Sequence, residues 1–329
     1  MIKDSILREF RQRKVLVTGG TGLIGRQIVR ILCDAGAQVR VASLDDIVVH
    51  ADAEHVYADL REFSTCLSLT KDMDFVFHVA GIKGSIEVTK SRPASFFVPM
   101  LMMNTNVLEA CRLNKVPKVL YTSSIGAYSA REVFKEDEDS GHGEPMDMFP
   151  GWAKRMAELQ VQAYNIQYGL TNFAIVRPSN VYGPGDNFDP ETAMVIPSLM
   201  ARVYRGEDPL MVWGDGSAIR DFAYSEDVAR GMLLALHHGT GSHPVNLGSG
   251  RGCSIRELVE ALHSVVPFSY RFDTTKPSGF PRRVMDVTLA RQTLGYEPRT
   301  TLVDGLRQTW EWYVRNQDEH LKKQNYFRE

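Results

Sequence analysis

Along the first half of the chain, short apolar runs alternate with stretches of helical spacing. "KVLVTGG" is apolar and closed by glycine, and "QVRVAS", "DFVFHVAG", "KVLYTSS" and "FAIVRP" are further runs of strand length. Between them, "GRQIVRILCDAG" sets Ile28, Ile31 and Leu32 on one helical face and stops at Gly36. "MNTNVLEACRLNK" reads as a second helix, and the segment from Pro150 to about Tyr168, ended by Gly169, as a third. Continuous apolar strands alternating with helices predict an α/β fold, a doubly wound parallel sheet covered on both faces. After Pro178 the pattern breaks into "NVYGPGDNFDPETA", an irregular run of the kind that often binds ligands. The last third mixes a helix ("SIRELVEALHSVV"), a short strand ("YRFDT") and a final helix ("LVDGLRQTWEWYVRNQ"). The expected division is a first domain over 1–178, joined by part of 212–238, and a smaller C-terminal α/β domain over 179–329. The two would share one cleft.

Composition narrows the function. With 329 residues, 43% of them hydrophobic, the chain can bury a substantial core. Its formal net charge of -2, with acids and bases interspersed, offers no basic footprint for nucleic acid. No apolar run approaches the roughly 18 residues of a membrane span. The N-terminal "MIKDSILREFRQRK" is too charged for a signal peptide and reads as a short leading helix or a frayed end. Cys33, Cys66, Cys111 and Cys253 lie far apart without metal-ligand spacing, so reduced thiols, a cytoplasmic location and no metal are expected.

"VLVTGGTGLIG" carries the clearest chemistry. Gly19, Gly22 and Gly25 recur at three-residue spacing after a strand and at the opening of a helix, with Leu23 and Ile24 between the last two. Such a turn lets a dinucleotide pyrophosphate approach backbone amides at the positive end of a helix. Asp59 and Leu60 in "YADL" suit the adenine, and Ala80 in "HVAG" leaves room for the cofactor to pass. Ser43 holds the tip of the second strand, with Asp45 and Asp46 just beyond. Two carboxylates there would repel a 2′-phosphate, so NAD is expected over NADP.

The glycine loop, "VRPSNVYGPGDNFDPETAMVIPSLMAR", "VWGDGSAIRDFAYSEDVA", "NLGSG" and "KPSGFPRRVMDVTLARQTLGYEP" together resemble the extended short-chain dehydrogenases/reductases, the NAD-dependent epimerase/dehydratase family. The resemblance spans nearly the whole chain and is nearest to the GDP-L-fucose synthase branch. It implies a Rossmann domain holding NAD(P), a nucleotide-diphosphate sugar, GDP-linked by preference, in the cleft, and a homodimer built through the helix after Pro150. A diphosphate calls for arginines. Arg202, Arg220, Arg282 and Arg283, with Asn180 and Lys276, stand at positions resembling such contacts; a surface ion pair is an equal reading for any single arginine, except that the motif around Arg220 favours binding there. Asp227 reads as a helix cap.

The same resemblance implies a Ser or Thr, a Tyr and a Lys acting together, the tyrosine one turn before the lysine on one helix face. Ser123 and Lys154 match, but Pro150 stands where the tyrosine belongs. Met100 replaces an expected asparagine, and Ile125 and Met194 replace the cysteine and histidine that serve carbons 3 and 5 in fucose synthases. What remains implied is hydride transfer at sugar C4, with Lys154 through a water, Ser123, Tyr128 or Asp147 standing in for the phenol. A catalytically silent NAD(H)- and sugar-nucleotide-binding protein is the alternative.

Overall fold

The computed structural model describes residues 2–138, 143–189 and 191–323, so Pro190 of the irregular segment lies outside the described residues. A seven-stranded parallel sheet organises the first half and draws one strand from beyond it. Its spatial order is Pro244–Leu247, Phe173–Pro178, Lys118–Thr122, Phe75–His78, Lys14–Thr18, Gln38–Ser43 and Glu54–Tyr57. Strands Phe75–His78 and Phe173–Pro178 are buried at every position, as expected for a sheet covered on both faces.

Each face has its own core. Helices Gly25–Asp34 and Ser225–His238 pack Ile28, Leu32, Val228 and Met232 onto one side. Helices Phe63–Thr70, Pro93–Leu113 and Met148–Tyr168 pack Leu69, Val107, Leu108 and Val161 onto the other. The leading helix, Asp4–Phe10, docks firmly: Phe10 is 1% exposed and meets Phe75 edge-on, with ring centroids 5.2 Å apart. A third cluster, including Tyr182, Phe188, Leu258 and Tyr313, forms the C-terminal core. There, strand Tyr270–Asp273 pairs with Leu210–Trp213, and helix Ile255–Val265 opens on a capping box between Ser254 and Glu257.

The helix expected to begin at Pro150 begins two residues earlier, at Met148. Proline is tolerated in a first turn because the amide it removes has no helical partner there. The helix ends as expected, with Gly169 in the left-handed conformation at φ 66°. Asp227 does not cap its helix through its side chain. It lies in the first turn of Ser225–His238 and accepts the amides of Arg299 (3.1 Å) and Thr300 (2.8 Å), tying the C-terminal segment to the sheet domain.

The strand order reverses between Lys14–Thr18 and its two neighbours, Phe75–His78 and Gln38–Ser43. Ligands of doubly wound sheets bind at the carboxyl ends of strands beside such a switch. Thr18, His78, Thr122 and Pro178 are the last residues of four strands, and the loops that follow them converge on one cavity. Among the described residues no helix is long and apolar enough to cross a membrane.

Candidate active site

The cavity measures about 1240 Å³ and runs from the glycine loop to the C-terminal region. At one end, the fold itself demands two of the three glycines. Gly19 has φ 66°, and a Cβ there would lie 2.7 Å from Ala80 Cα; a Cβ on Gly25 would collide with the Gly19 carbonyl oxygen. Gly22 differs, since a Cβ there would meet only the Gly19 oxygen, at 3.2 Å. Its bareness leaves the loop open to the cavity. Among the described residues, the amides of Leu23 and Ile24 donate to no backbone carbonyl, and they precede the first turn of helix Gly25–Asp34. Free amides at a helix N-terminus suit an anion, so these residues fit a dinucleotide pyrophosphate.

The rim around this end is polar and organised. Thr21 Oγ1 lies 2.7 Å from Ser43 Oγ and donates to Asp45 at 2.7 Å. Asp59 and Leu60 line the cavity, Leu60 buried and Asp59 bonded by Arg61, which holds its carboxyl below the usual carboxylate range. Ala80 and Gly81 complete the wall.

Lys154 stands in the middle. Its Nζ donates to the Thr122 carbonyl at 2.7 Å and lies 5.4 Å from the Tyr121 ring centre. Burial lowers its pKa to about 8 against an opposing pull from Glu158. One turn back, Pro150 lines the cavity, while Phe149 turns its ring onto Phe97, with centroids 5.7 Å apart. Neither carries an exchangeable side-chain proton. Tyr128 is no substitute: it is fully buried and its hydroxyl donates to Asn246 at 2.9 Å. The tyrosines that do line the cavity, Tyr204 and Tyr313, pack on each other in the C-terminal region.

Ser123 is buried, and its hydroxyl donates to Glu158, which also holds Arg177 at 2.6 and 2.8 Å. Ser123 and the neighbouring Ser124 both line the cavity, but Ser124 is half-buried and, among the described residues, only accepts the Gly126 amide, at 3.0 Å. Ser124 is therefore the more available hydroxyl of the pair. Beneath Lys154 runs a buried polar chain. His78 Nδ1 lies 2.8 Å from Thr18 Oγ1 and its Nε2 2.9 Å from Asn104 Oδ1; Asn104 donates to the Ala153 carbonyl and Tyr121 to the Lys154 carbonyl. Burial, then the charge of Lys154, push His78 down to about 3, so it is neutral. Asn104 thus bonds the lysine helix from beside Met100, which itself receives the Ile82 amide on its sulfur at 3.2 Å.

At the far end, Arg220, Arg283 and Asn180 line the cavity; Arg202, Arg282 and Lys276 do not. Arg202 is taken up by Glu207 (2.5 and 2.7 Å) and the Met211 carbonyl, and Lys276 lies over the Trp213 ring. Arg282 and Arg283 are successive residues of strand Arg282–Met285, so their side chains leave on opposite faces. Arg220 donates to the Phe280 carbonyl, and burial beside the charge of Arg283 lowers it to about 10. Arg283 bonds Asp147 at 3.0 Å, yet its Nε is buried with no hydrogen-bond partner among the described residues. Two half-buried guanidiniums, one with a buried unsatisfied donor, fit an anion.

Sequence reading missed several lining residues. Lys83 binds Asp186 at 2.9 Å and the Val181 carbonyl at 3.0 Å. Lys323 donates to the Gly185 carbonyl; outside the lining, Glu319 pairs with Arg26 just past the glycine loop. Arg26 carries a local signal in its adjacency to Gly25; Lys323, some 300 residues away, carries none. No group of side chains suited to a metal occurs among the described residues.

Residues 15–248 match the NAD dependent epimerase/dehydratase family. The chain belongs to that family. It is 33% identical over 315 residues to GDP-L-fucose synthase 1 of Arabidopsis thaliana, covering 93% of this chain and 94% of that one. It is 31% identical to the GDP-L-fucose synthase of Escherichia coli, over 93% and 98% of the two chains. Among solved structures, an epimerase from Methanothermobacter thermautotrophicus superposes with a TM-score of 0.85 at 25% identity, over 97% of both chains. UDP-glucose 4-epimerase of Thermotoga maritima, solved with UDP-glucose, gives 0.80 at 26%, over 92% and 99%. The dTDP-glucose 4,6-dehydratase of Streptomyces venezuelae, solved with NAD bound, gives 0.80 at 25%, over 93% and 98%.

Proposed function

We propose that this protein is an oxidoreductase or isomerase that binds NAD(H) and a nucleotide-diphosphate sugar, GDP-linked by preference, and transfers hydride at sugar C4. One observation carries the reading: a single cavity joins an open glycine loop to two half-buried guanidiniums, with the half-buried Lys154 lining it as well. The bound nicotinamide would accept or supply the hydride. Gly22, Leu23 and Ile24 would hold the pyrophosphate on backbone amides, with Gly19 and Gly25 shaping the loop. Asp59 and Leu60 would face the adenine, and Ala80 would leave space for the nicotinamide half. Lys154 would hold the nicotinamide ribose. Asp45, fixed by Thr21 at the rim, supports NAD over NADP.

Arg220 and Arg283 would take the diphosphate, with Asn180 beside them. The names of the fucose synthase relatives support a GDP-linked substrate. Epimerisation at carbons 3 and 5 is not part of the reading, because Ile125 and Met194 carry no transferable proton. A homodimer is proposed as well, supported by exposed Val98, Met102, Met156, Leu159 and Ile166 on helices Pro93–Leu113 and Met148–Tyr168.

Pro150 favours a second reading, a silent sensor that binds both ligands without turnover. The deciding experiment incubates the protein with oxidised or reduced dinucleotide and GDP-, UDP- and dTDP-linked hexoses or their 4-keto forms. Turnover of the dinucleotide with at least one sugar supports an enzyme. Binding of both ligands by calorimetry without turnover supports the sensor.

A further inference from the structure

The missing phenol leaves a proton without an obvious carrier, and one carboxylate is set against the same turn as Ser124. Asp147 immediately precedes helix Met148–Tyr168, in the N-cap position, where an aspartate ordinarily accepts an amide of the first turn. Here its side chain makes no such bond. It points into the cavity instead, with Oδ1 3.0 Å from Arg283 Nη1.

Two backbone features hold it there. Met148, the next residue, has φ 37°, an uncommon conformation for a residue with a side chain. Gly126 has no Cβ, and one placed there would collide with the Asp147 carboxylate. The Asp147 amide also donates to the Gly126 carbonyl at 3.3 Å. The carboxylate therefore nests against the turn of Ser124 to Ala127, whose first hydroxyl lines the same cavity as Lys154.

We propose that Asp147 is the proton-transferring residue, in place of the tyrosine that Pro150 displaces. The inference rests on the hydride-transfer reading above. In the oxidising direction, the O–H bond of the sugar hydroxyl breaks and its proton passes to an Asp147 carboxylate oxygen. The hydrogen on the same carbon leaves with its electron pair to the oxidised dinucleotide, and a C=O bond forms. In the reducing direction, Asp147 returns the proton to the alkoxide oxygen. Arg283 touches the Asp147 carboxylate and, in this reading, the diphosphate. A diphosphate drawing on its guanidinium loosens the ion pair and frees the carboxylate as substrate arrives.

The test compares the parent, Asp147→Asn, Asp147→Glu and Asp147→Ala, each checked for its melting temperature. Turnover is measured with the sugar nucleotide active in the parent. Affinities for NAD and that sugar nucleotide are measured by calorimetry. Asp147→Asn is expected to lower kcat about 10²–10⁴-fold, the usual range for a lost acid–base group, with both affinities within about threefold. Asp147→Glu should retain a carboxylate limb in the pH profile, and added formate should partly restore Asp147→Ala. Turnover in Asp147→Asn within about threefold of the parent would overturn the role of Asp147 alone. So would a loss matched by an equal loss of sugar-nucleotide affinity, which marks a merely structural ion pair. A parent that binds both ligands and turns over none overturns the hydride-transfer reading itself, and this inference with it.

Discussion

The carboxylate of Glu158 and the guanidinium of Arg177 meet at 2.6 Å with their side chains only 4% exposed. Ser123 donates to the same carboxylate. Arg177 lies in strand Phe173–Pro178 and Glu158 one turn after Lys154, so the pair fastens the lysine helix to the sheet. Removing one partner strands the other charge away from water. Glu158→Gln is expected to destabilise the fold by about 3–5 kcal/mol, measured by urea unfolding. A loss below about 1 kcal/mol would show the pair to be incidental.

The glycines should separate by role. Gly22→Val is expected to weaken dinucleotide binding strongly while lowering the melting temperature less than Gly25→Val does, because a Cβ there meets a single atom, the Gly19 oxygen, at 3.2 Å. Gly25→Val is expected to lower the melting temperature itself, because its Cβ would strike the Gly19 carbonyl. Calorimetry with NAD and a thermal melt on each variant check both halves.

The arginines should separate too. A charge-assisted contact contributes about 1.5–3 kcal/mol, equivalent to roughly 10–150-fold in affinity. Arg220→Ala should weaken sugar-nucleotide binding by that factor. Arg202→Ala should leave it unchanged, since its guanidinium is spent on Glu207 and Met211.

How far this was legible in the sequence follows from where each signal resides. The glycine loop was readable because a close backbone approach demands glycine at fixed, closely spaced positions of one short segment, whatever the rest of the chain does. The strand-and-helix alternation was readable for the same local reason, up to a two-residue error at Met148. Ser123 and Ser124 could not be told apart, since both line the cavity and the acid that claims the Ser123 hydroxyl is set by tertiary structure. Nor could Arg220 be separated from Arg202, because the acid that claims a guanidinium is set by tertiary structure. The chain His78–Asn104–Tyr121 and the approach of Lys323 join distant segments, and neither leaves a local pattern.

Lys154 gives a pH prediction for the free protein. Its pKa falls from the ordinary 10.5 to about 8, so between these values the unfolded chain binds more protons than the native one. The contribution of this group to stability is full above about 10.5 and is lost as pH falls through about 8. Urea midpoints of the parent minus those of Lys154→Met should therefore rise from pH 8 to pH 10.5. A flat difference would place the lysine in a wetter setting than its bond to Thr122 implies. With NAD present, Lys154→Met should also weaken cofactor binding.

Restoring a phenol probes the gap from the other side. Pro150 removes no helical hydrogen bond, so Pro150→Tyr should fold, with a change in stability of about 1 kcal/mol or less. Placed one turn before Lys154, the new hydroxyl is expected to raise hydride transfer in an Asp147→Asn background. No recovery, in a variant that folds and binds both ligands, would show that this position does not address the reacting oxygen.

The central claim is that hydride passes between a sugar C4 and a nicotinamide held on the Gly19–Gly25 loop. Its most direct measurement supplies GDP-, UDP- and dTDP-linked hexoses deuterated at C4 together with NAD, and their 4-keto forms together with NADH deuterated at the nicotinamide C4, and weighs sugar and dinucleotide by mass spectrometry. One deuterium is expected to cross between sugar C4 and the nicotinamide ring for at least one sugar, and none in the Gly22→Val variant. Tight binding of a sugar nucleotide with no deuterium crossing in either direction for any of them would contradict it.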